Sequence, residues 1–176
     1  MTAARAQTPP RRHTVLVQLH DRPGALYRAI GLIRRRDYNV SSLVVGASER
    51  AGTSRMVLVV EAADVHQIVQ QLSRLVDVLS VSELGGEETA ARETALAVVD
   101  VTDHDHRALM ATAIASGARV TDHTGTRVLF EITAEPSRVD GFVDAMRGFA
   151  LRQLARTGPI LVHDLPNDRP LRAPAA

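Results

Sequence analysis

The sequence predicts an α+β chain in which one small unit, ordered strand, helix, strand, strand, helix, strand, is laid down twice. Three observations carry this. Apolar residues alternate over short runs, as in half-buried strands, and between those runs they recur at three- and four-residue spacing, as in amphipathic helices. Breaks containing Gly, Pro or Asp separate the runs. The order of run types up to Leu84 returns after it.

His13 to Leu19 alternates, with Val15, Val17 and Leu19 on one face of a strand, and Asp21-Arg22-Pro23-Gly24 breaks it. From Gly24 to Arg36 the positions Leu26, Ala29, Ile30 and Ile33 form the stripe of an amphipathic helix. Pro23 stands at its start, where a missing N–H costs nothing. Tyr38 to Ala47 is rich in β-branched residues and is followed by Glu49-Arg50-Ala51-Gly52, the signature of a strand closed by a hairpin loop. Ser54 to Ala62 is its partner, with Met56, Leu58 and Val60 on one face. Asp64 can cap a second helix striped by Val65, Ile68, Val69, Leu72 and Val76, and Val78 to Leu84 closes the unit. This order is the split βαβ, or ferredoxin-like, arrangement.

The second half repeats it. Glu93 to Val101 is a strand, and Asp103 or Asp105 caps a helix with Leu109, Met110, Ala113 and Ile114 inward. Ala118 to Asp122 and Arg127 to Thr133 form a hairpin around Thr124-Gly125. A helix from Pro136 is striped by Val139, Phe142, Val143 and Met146, and Ala150 to Ala155 is the last strand. The expected organisation is a disordered tail over 1–12, a first domain over 13–84, a linker over 85–92, a second domain over 93–158 and a disordered tail over 159–176.

Composition narrows the function classes. The 176 residues are 45% apolar but only 3% aromatic, so both cores are built from Val, Leu, Ile and Ala. Stacking surface for nucleic acid is scarce, and no residues remain for a helix-turn-helix. Cys is absent, which excludes a disulfide framework, a thiolate metal site and a Cys nucleophile, and leaves the cytoplasm as the expected compartment. No apolar run approaches the ~20 residues of a membrane span, and the polar N-terminus lacks a signal peptide's apolar stretch. Net charge is +1 and every basic side chain is Arg, so neither Schiff-base chemistry nor a phosphate-loop lysine is available. Arg34-Arg35-Arg36 reads as a solvated helix end.

The turn Leu19 to Leu26 has chemical content. Gly24 lets a small ligand approach the backbone, and the N–H groups of Ala25 and Leu26 at a helix start suit a carboxylate. Each charge-assisted bond there is worth ~1.5–3 kcal/mol, a scale that fits an amino acid. His104 and His106, within Asp103-His104-Asp105-His106, invite a metal reading, but adjacent residues at such a junction point apart and capping accounts for the acids. His20 has no partner in recognisable triad order, and no catalytic residue or metal site is expected.

Val15-Leu16-Val17 followed by Asp21-Arg22-Pro23-Gly24-Ala25-Leu26 resembles the signature turn of ACT domains, which bind amino acids at dimer interfaces. Four further runs are more specific: Arg28-Ala29-Ile30-Gly31-Leu32, Tyr38-Asn39-Val40-Ser41-Ser42-Leu43, Thr53-Ser54-Arg55-Met56, and Gln71 to Val78. In that order they resemble the small subunit of acetolactate (acetohydroxyacid) synthase from His13 to Leu84. Arg92-Glu93, Arg119-Val120-Thr121-Asp122 and Arg156-Thr157-Gly158 extend the resemblance to that family's C-terminal domain.

The resemblance implies a regulatory subunit with no cofactor of its own. Its partner would be the large catalytic subunit, which carries thiamine diphosphate, magnesium and FAD and condenses two pyruvates, or pyruvate with 2-oxobutyrate. The small subunit would raise that activity and confer feedback inhibition by valine, or by leucine or isoleucine, in branched-chain amino acid synthesis. It also implies a homodimer through the ACT domains, with Asp21, Gly24, Ala25, Leu26 and Asn39 lining the effector site. Gly24 to Leu26 would hold the carboxylate, and Asn39 would reach the polar end from the partner chain. The family usually has Glu-Asn where this chain has His20-Asp21, and Gly where it has Asp37; a carboxylate in place of an amide cannot donate a hydrogen bond. The alternative is a stand-alone ACT-domain sensor that regulates another enzyme.

Overall fold

In a computed structural model, which describes residues 10–35, 38–84, 89–101 and 105–163, the strand-helix order repeats as the pattern requires. The chain divides into two compact units, with breaks between Ala90 and Ala91 and between Leu161 and Val162.

The first unit contains β1 (Arg11–His20), α1 (Ala25–Arg34), β2 (Asn39–Ala47), β3 (Thr53–Ala62), α2 (His66–Leu72) and β4 (Val78–Leu84). Its antiparallel sheet has the order β2-β3-β1-β4. Val15 pairs with Leu58 and Val17 with Met56, so alternate residues of adjacent strands meet on one face. That face carries Val15, Val17, Leu19, Met56, Leu58 and Val60, packed with Ala29 and Ile33 of α1 and Ile68 and Leu72 of α2. Leu16, Val57 and Val59, on the opposite face, are buried too, so that face is less open than alternation alone predicts.

Three expectations shift here. β1 starts at Arg11, inside the expected tail. α1 buries Ala25, Ala29 and Ile33, whereas Leu26 and Ile30 keep more than a third of their surface exposed; the stripe is wider than the face that meets the sheet. α2 ends at Leu72, so Val76 falls in the following turn and is 77% exposed instead of completing the stripe. Asp64 does act at the start of α2, its Oδ1 accepting the His66 N–H at 2.8 Å.

The second unit contains α3 (His106–Ser116), β6 (Arg119–Thr124), β7 (Arg127–Ala134), α4 (Pro136–Arg147) and β8 (Ala150–Arg156), with β5 (Thr89–Asp100) at the centre of its sheet. The order β6-β7-β5-β8 reproduces that of the first sheet, strand for strand. Ala97 pairs with Phe130, and the small residues Ala95 and Ala97 make room for Phe130 and Phe142 in a core closed by Leu109, Ala113, Val139, Val143 and Met146. Against the expectation from composition, this core is filled by two aromatic rings and a Met as well as by aliphatic side chains.

β5 begins at Thr89, so the strand takes up residues 89–92 of the expected linker; residues 85–88 lie outside the described residues. β9 (Ile160–His163) pairs with β5, within what the sequence reads as a tail. Gly158, at φ 76°, lets the chain turn back after Arg156, so Gly158-Pro159 is a turn rather than an ending. Ile114 is 68% exposed, because α3 turns Leu109 and Ala113 to the sheet. Arg36, Asp37, Asp103 and His104, and the tails 1–9 and 164–176, lie outside the described residues. Among the described residues no helix is long and apolar enough to cross a membrane.

Candidate functional site

The turn between β1 and α1 is built from backbone hydrogen bonds that run in different directions. The His20 N–H donates to the Asp77 carbonyl at 2.8 Å, and the Asp21 N–H to the Gly52 carbonyl at 2.8 Å. The Arg22 N–H donates to the His20 carbonyl at 3.0 Å and the Ala25 N–H to the Arg22 carbonyl at 3.2 Å. Gly24 then adopts φ 87°, ψ −14°, the left-handed conformation that an L side chain resists, and its carbonyl accepts the Arg28 N–H at 3.0 Å to begin the helix.

Of the two amides expected to meet a carboxylate, that of Ala25 is therefore already engaged with Arg22, and its side chain is buried. Leu26 lies one residue further into the first turn, where an N–H has no intrahelical acceptor, and its side chain is partly exposed. Asp21 is exposed and turned toward β3, where its Oδ1 accepts the Ser54 hydroxyl at 3.0 Å.

Asn39 is elsewhere. It opens the edge strand β2, pairs with Glu61 on β3, and donates from Nδ2 to the Glu61 carboxylate at 3.0 Å. The turn lies at the opposite end of β3, where His20 pairs with Thr53. Eight residues of strand separate Thr53 from Glu61, roughly 25 Å at ~3.3 Å per residue. Asp21, Gly24, Ala25 and Leu26 are together in one chain, and Asn39 is not with them.

Sequence reasoning missed the residue that organises the turn. Asp77, between α2 and β4, is 1% exposed. Its Oδ1 takes Nε and Nη2 of Arg22, and its Oδ2 takes Nε and Nη2 of Arg28. Hydrogen bonding from Arg28 holds the Asp77 carboxyl below its ordinary range; burial opposes this and Arg22 reinforces it. The same hold brings Arg28 Nη1 to 2.8 Å from where a Cβ on Gly24 would stand. Gly24 is thus required twice, by its φ and by the guanidinium above it. The only signal in the sequence was Asp77 within a quoted run, with Arg22 and Arg28 on either side of the turn.

In the second unit two of the three quoted motifs meet, Arg92-Glu93 and Arg156-Thr157-Gly158, while Arg119, on the far edge strand β6, pairs with Glu131. Arg156 donates from Nε and Nη2 to the two oxygens of buried Glu93, at 2.7 and 2.8 Å, and its Nη1 lies 2.7 Å from Asp140 Oδ1. The Glu93 bonds push the Arg156 pKa upward. Thr157 exchanges backbone and hydroxyl bonds with Thr94, fixing the end of β8 to β5. Asp100 is clamped by Arg152 and Arg127, and its carboxyl is held low, first by Arg152. These are paired charges that fasten strands. Among the described residues no group of three His, Asp or Glu side chains could hold a metal ion; His106 is the exposed first residue of α3.

Comparison with known proteins agrees along the chain. Residues 15–80 match the family described as the AHAS small subunit-like ACT domain, and residues 92–164 match the small subunit of acetolactate synthase. The "Probable acetolactate synthase small subunit" of Archaeoglobus fulgidus is 36% identical over 151 residues, covering 85% of this chain and 94% of that one. The acetolactate synthase small subunit of Mycobacterium bovis is 31% identical over 153 residues, covering 86% and 91%. The crystal structure of the acetolactate synthase small subunit from Thermotoga maritima superposes with a TM-score of 0.75 at 30% identity, covering 89% of this chain and 99% of that one. With two ferredoxin-like units in the same order and relatives matched over nearly their whole length, this chain belongs to the acetolactate synthase small-subunit family.

Proposed function

We propose that the chain activates a thiamine-diphosphate-dependent acetolactate synthase catalytic subunit, which also carries magnesium and FAD, and confers feedback inhibition by valine or a related branched-chain amino acid. It does so in the cytoplasm and carries no cofactor itself. The observation behind the sensing part is the β1–α1 turn, with Gly24 in the left-handed conformation and Leu26 half-exposed beside it. The match over both halves of the chain favours a subunit over a stand-alone sensor.

The effector site is shared by two chains of a homodimer. Leu26 and Ile30 on α1, and Val40, Leu43 and Val45 on β2, each expose more than a third of their surface. Val40, Leu43 and Val45 pair with Val60, Leu58 and Met56, so they lie on the helix-bearing face of an edge strand. An edge strand with an apolar face calls for a cover. A second copy related by a two-fold axis, with its α1 and β2 antiparallel to these, supplies one and brings its Asn39 to the turn. Gly24 and Leu26 face the effector's carboxylate, Asp21 lies beside them, Ala25 anchors the helix start, and the partner's Asn39 reaches the polar end. The domains run over 13–84 and 93–158, extended by the strand residues described above.

The test is acetolactate formation by the cognate catalytic subunit with and without this chain, then with L-valine, L-leucine and L-isoleucine titrated in. Stimulation, followed by inhibition strongest with one of the three, is expected. Discrimination among them rests on about one methylene, worth ~1–3 kcal/mol, so the response is graded. Absence of stimulation would remove the activation reading; stimulation without inhibition would remove the sensing reading alone.

A further inference from the structure

We infer that a basic cleft on the outer face of α1 is where the catalytic subunit docks, and that the cleft takes a carboxylate-bearing segment of that subunit. This rests on the subunit reading above and names the surface through which it acts.

The cleft, of about 670 Å³, is lined by Tyr27, Arg28, Gly31, Arg34 and Arg35, along α1 and at its end, and by Leu75 in the turn after α2. At about 100° per residue, positions 27, 31, 34 and 35 share one side of the helix. Ala25, Ala29 and Ile33 hold the opposite side, against the sheet, and Leu26 and Ile30 a third. A second copy seated on Leu26, Ile30 and β2 therefore leaves the cleft open.

Among the described residues, the lining holds three guanidinium groups and no acid. Asp77 shares its single charge between Arg28 and Arg22, and Arg34 and Arg35 are exposed with no carboxylate partner among the described residues. The helix dipole accounts for cations in a last turn. It does not account for what stands between them. Tyr27 is 81% exposed, as is 77% of Val76 beside Leu75. Tyr and Arg are the side chains that most often carry binding energy at protein interfaces.

Gly31 is the sharper sign. Gly inside a helix costs about 1 kcal/mol against Ala, and Gly31 is not among the glycines with positive φ. The nearest atom that a Cβ there would meet is Arg35 Nη1 at 3.9 Å, an ordinary contact. Neither backbone conformation nor packing within the unit calls for a glycine, and its absent side chain leaves room on the cleft floor for an incoming group. A guanidinium fork takes a carboxylate through two parallel hydrogen bonds, so arginines with no acid of their own match the Asp and Glu side chains of a partner. A free inorganic anion would engage the arginines but leave Tyr27, Leu75 and Val76 without a role. These favour a protein, and a small subunit has a larger one to bind. α1 then joins the effector turn at its start to the docking surface along its outer face.

Calorimetry and sedimentation of the full chain with its cognate catalytic subunit test this. The parent should bind, and added NaCl should weaken the complex. Arg34→Glu made together with Arg35→Glu, and separately Tyr27→Ala, should each weaken assembly at least tenfold while the chain's own dimer persists. Gly31→Gln separates docking from folding. As a better helix former it should hold or raise the urea midpoint, yet by filling the cleft floor it should weaken assembly at least tenfold. A merely structural role would instead move midpoint and assembly together. Variants that assemble with the catalytic subunit and stimulate it as the parent does overturn the inference and leave the subunit reading standing. A parent chain that neither binds nor stimulates the catalytic subunit overturns both. Inorganic pyrophosphate, titrated into the chain alone, probes the rival occupant: binding that the Glu pair abolishes, with assembly unchanged, would make the cleft a small-anion site and overturn docking.

Discussion

At the scale of single residues, Gly24 and Asp77 define the turn, and only the first could be found from sequence. Gly in a strand-to-helix turn is a local signal. Asp77 lies 55 residues from Arg22 and 49 from Arg28, and no periodicity links positions so far apart. That the Ala25 amide is already engaged was hidden for a related reason: its N–H closes a turn on the Arg22 carbonyl. Gly24→Ala should destabilise the chain by about 1–2 kcal/mol, since a Cβ is disfavoured at φ 87° and would meet Arg28 Nη1. An unchanged urea midpoint would count against this geometry. The Asp77 carboxyl is held below its ordinary value of 3.8, so the unfolded chain takes up that proton first. Its contribution is therefore fully present above that value and is lost as pH falls through the lower folded pKa. Urea midpoints followed into acid should fall less steeply for Asp77→Asn than for the parent; parallel curves would exclude the clamp.

At the scale of elements, patterning is reliable where a helix lies flat on its sheet. α4 buries Val139, Phe142, Val143 and Met146, all four residues of its predicted stripe. α1 buries only part of its stripe, and the residues left over, Leu26 and Ile30, stay more than a third exposed, as do Val40, Leu43 and Val45 of β2. What counted as a core signal in one dimension divides into a core and a surface that a second chain can cover. Val45→Arg, at the exposed edge, should convert a dimer to a monomer in sedimentation with little loss of monomer stability, and a dimer that persists would place the interface elsewhere. Phe130→Ala, at a fully buried position, should instead cost ~3–5 kcal/mol of folding stability. A loss below about 1 kcal/mol, in denaturant titration, would mean that Phe130 does not anchor the second core.

At the scale of the whole molecule, the duplication was legible because both halves obey the same order of periods, and their sheets share one strand order. The edges of the units were not legible, since Thr89 to Arg92 and Ile160 to His163 become strand only by pairing with distant partners. Nor could one chain's sequence reveal that Asn39 and the Gly24 turn stand at opposite ends of one sheet. That separation makes the central claim, an effector held jointly by two chains and controlling the catalytic subunit, directly measurable. Gly24→Asp damages the turn, and Asn39→Ala damages the group contributed across the dimer; each alone should abolish inhibition of acetolactate formation by L-valine. When the two variants are mixed and allowed to exchange, each mixed dimer carries one intact site and one doubly damaged site. Partial return of valine inhibition in the mixture is predicted, and a mixture as insensitive as either variant alone would contradict the shared site.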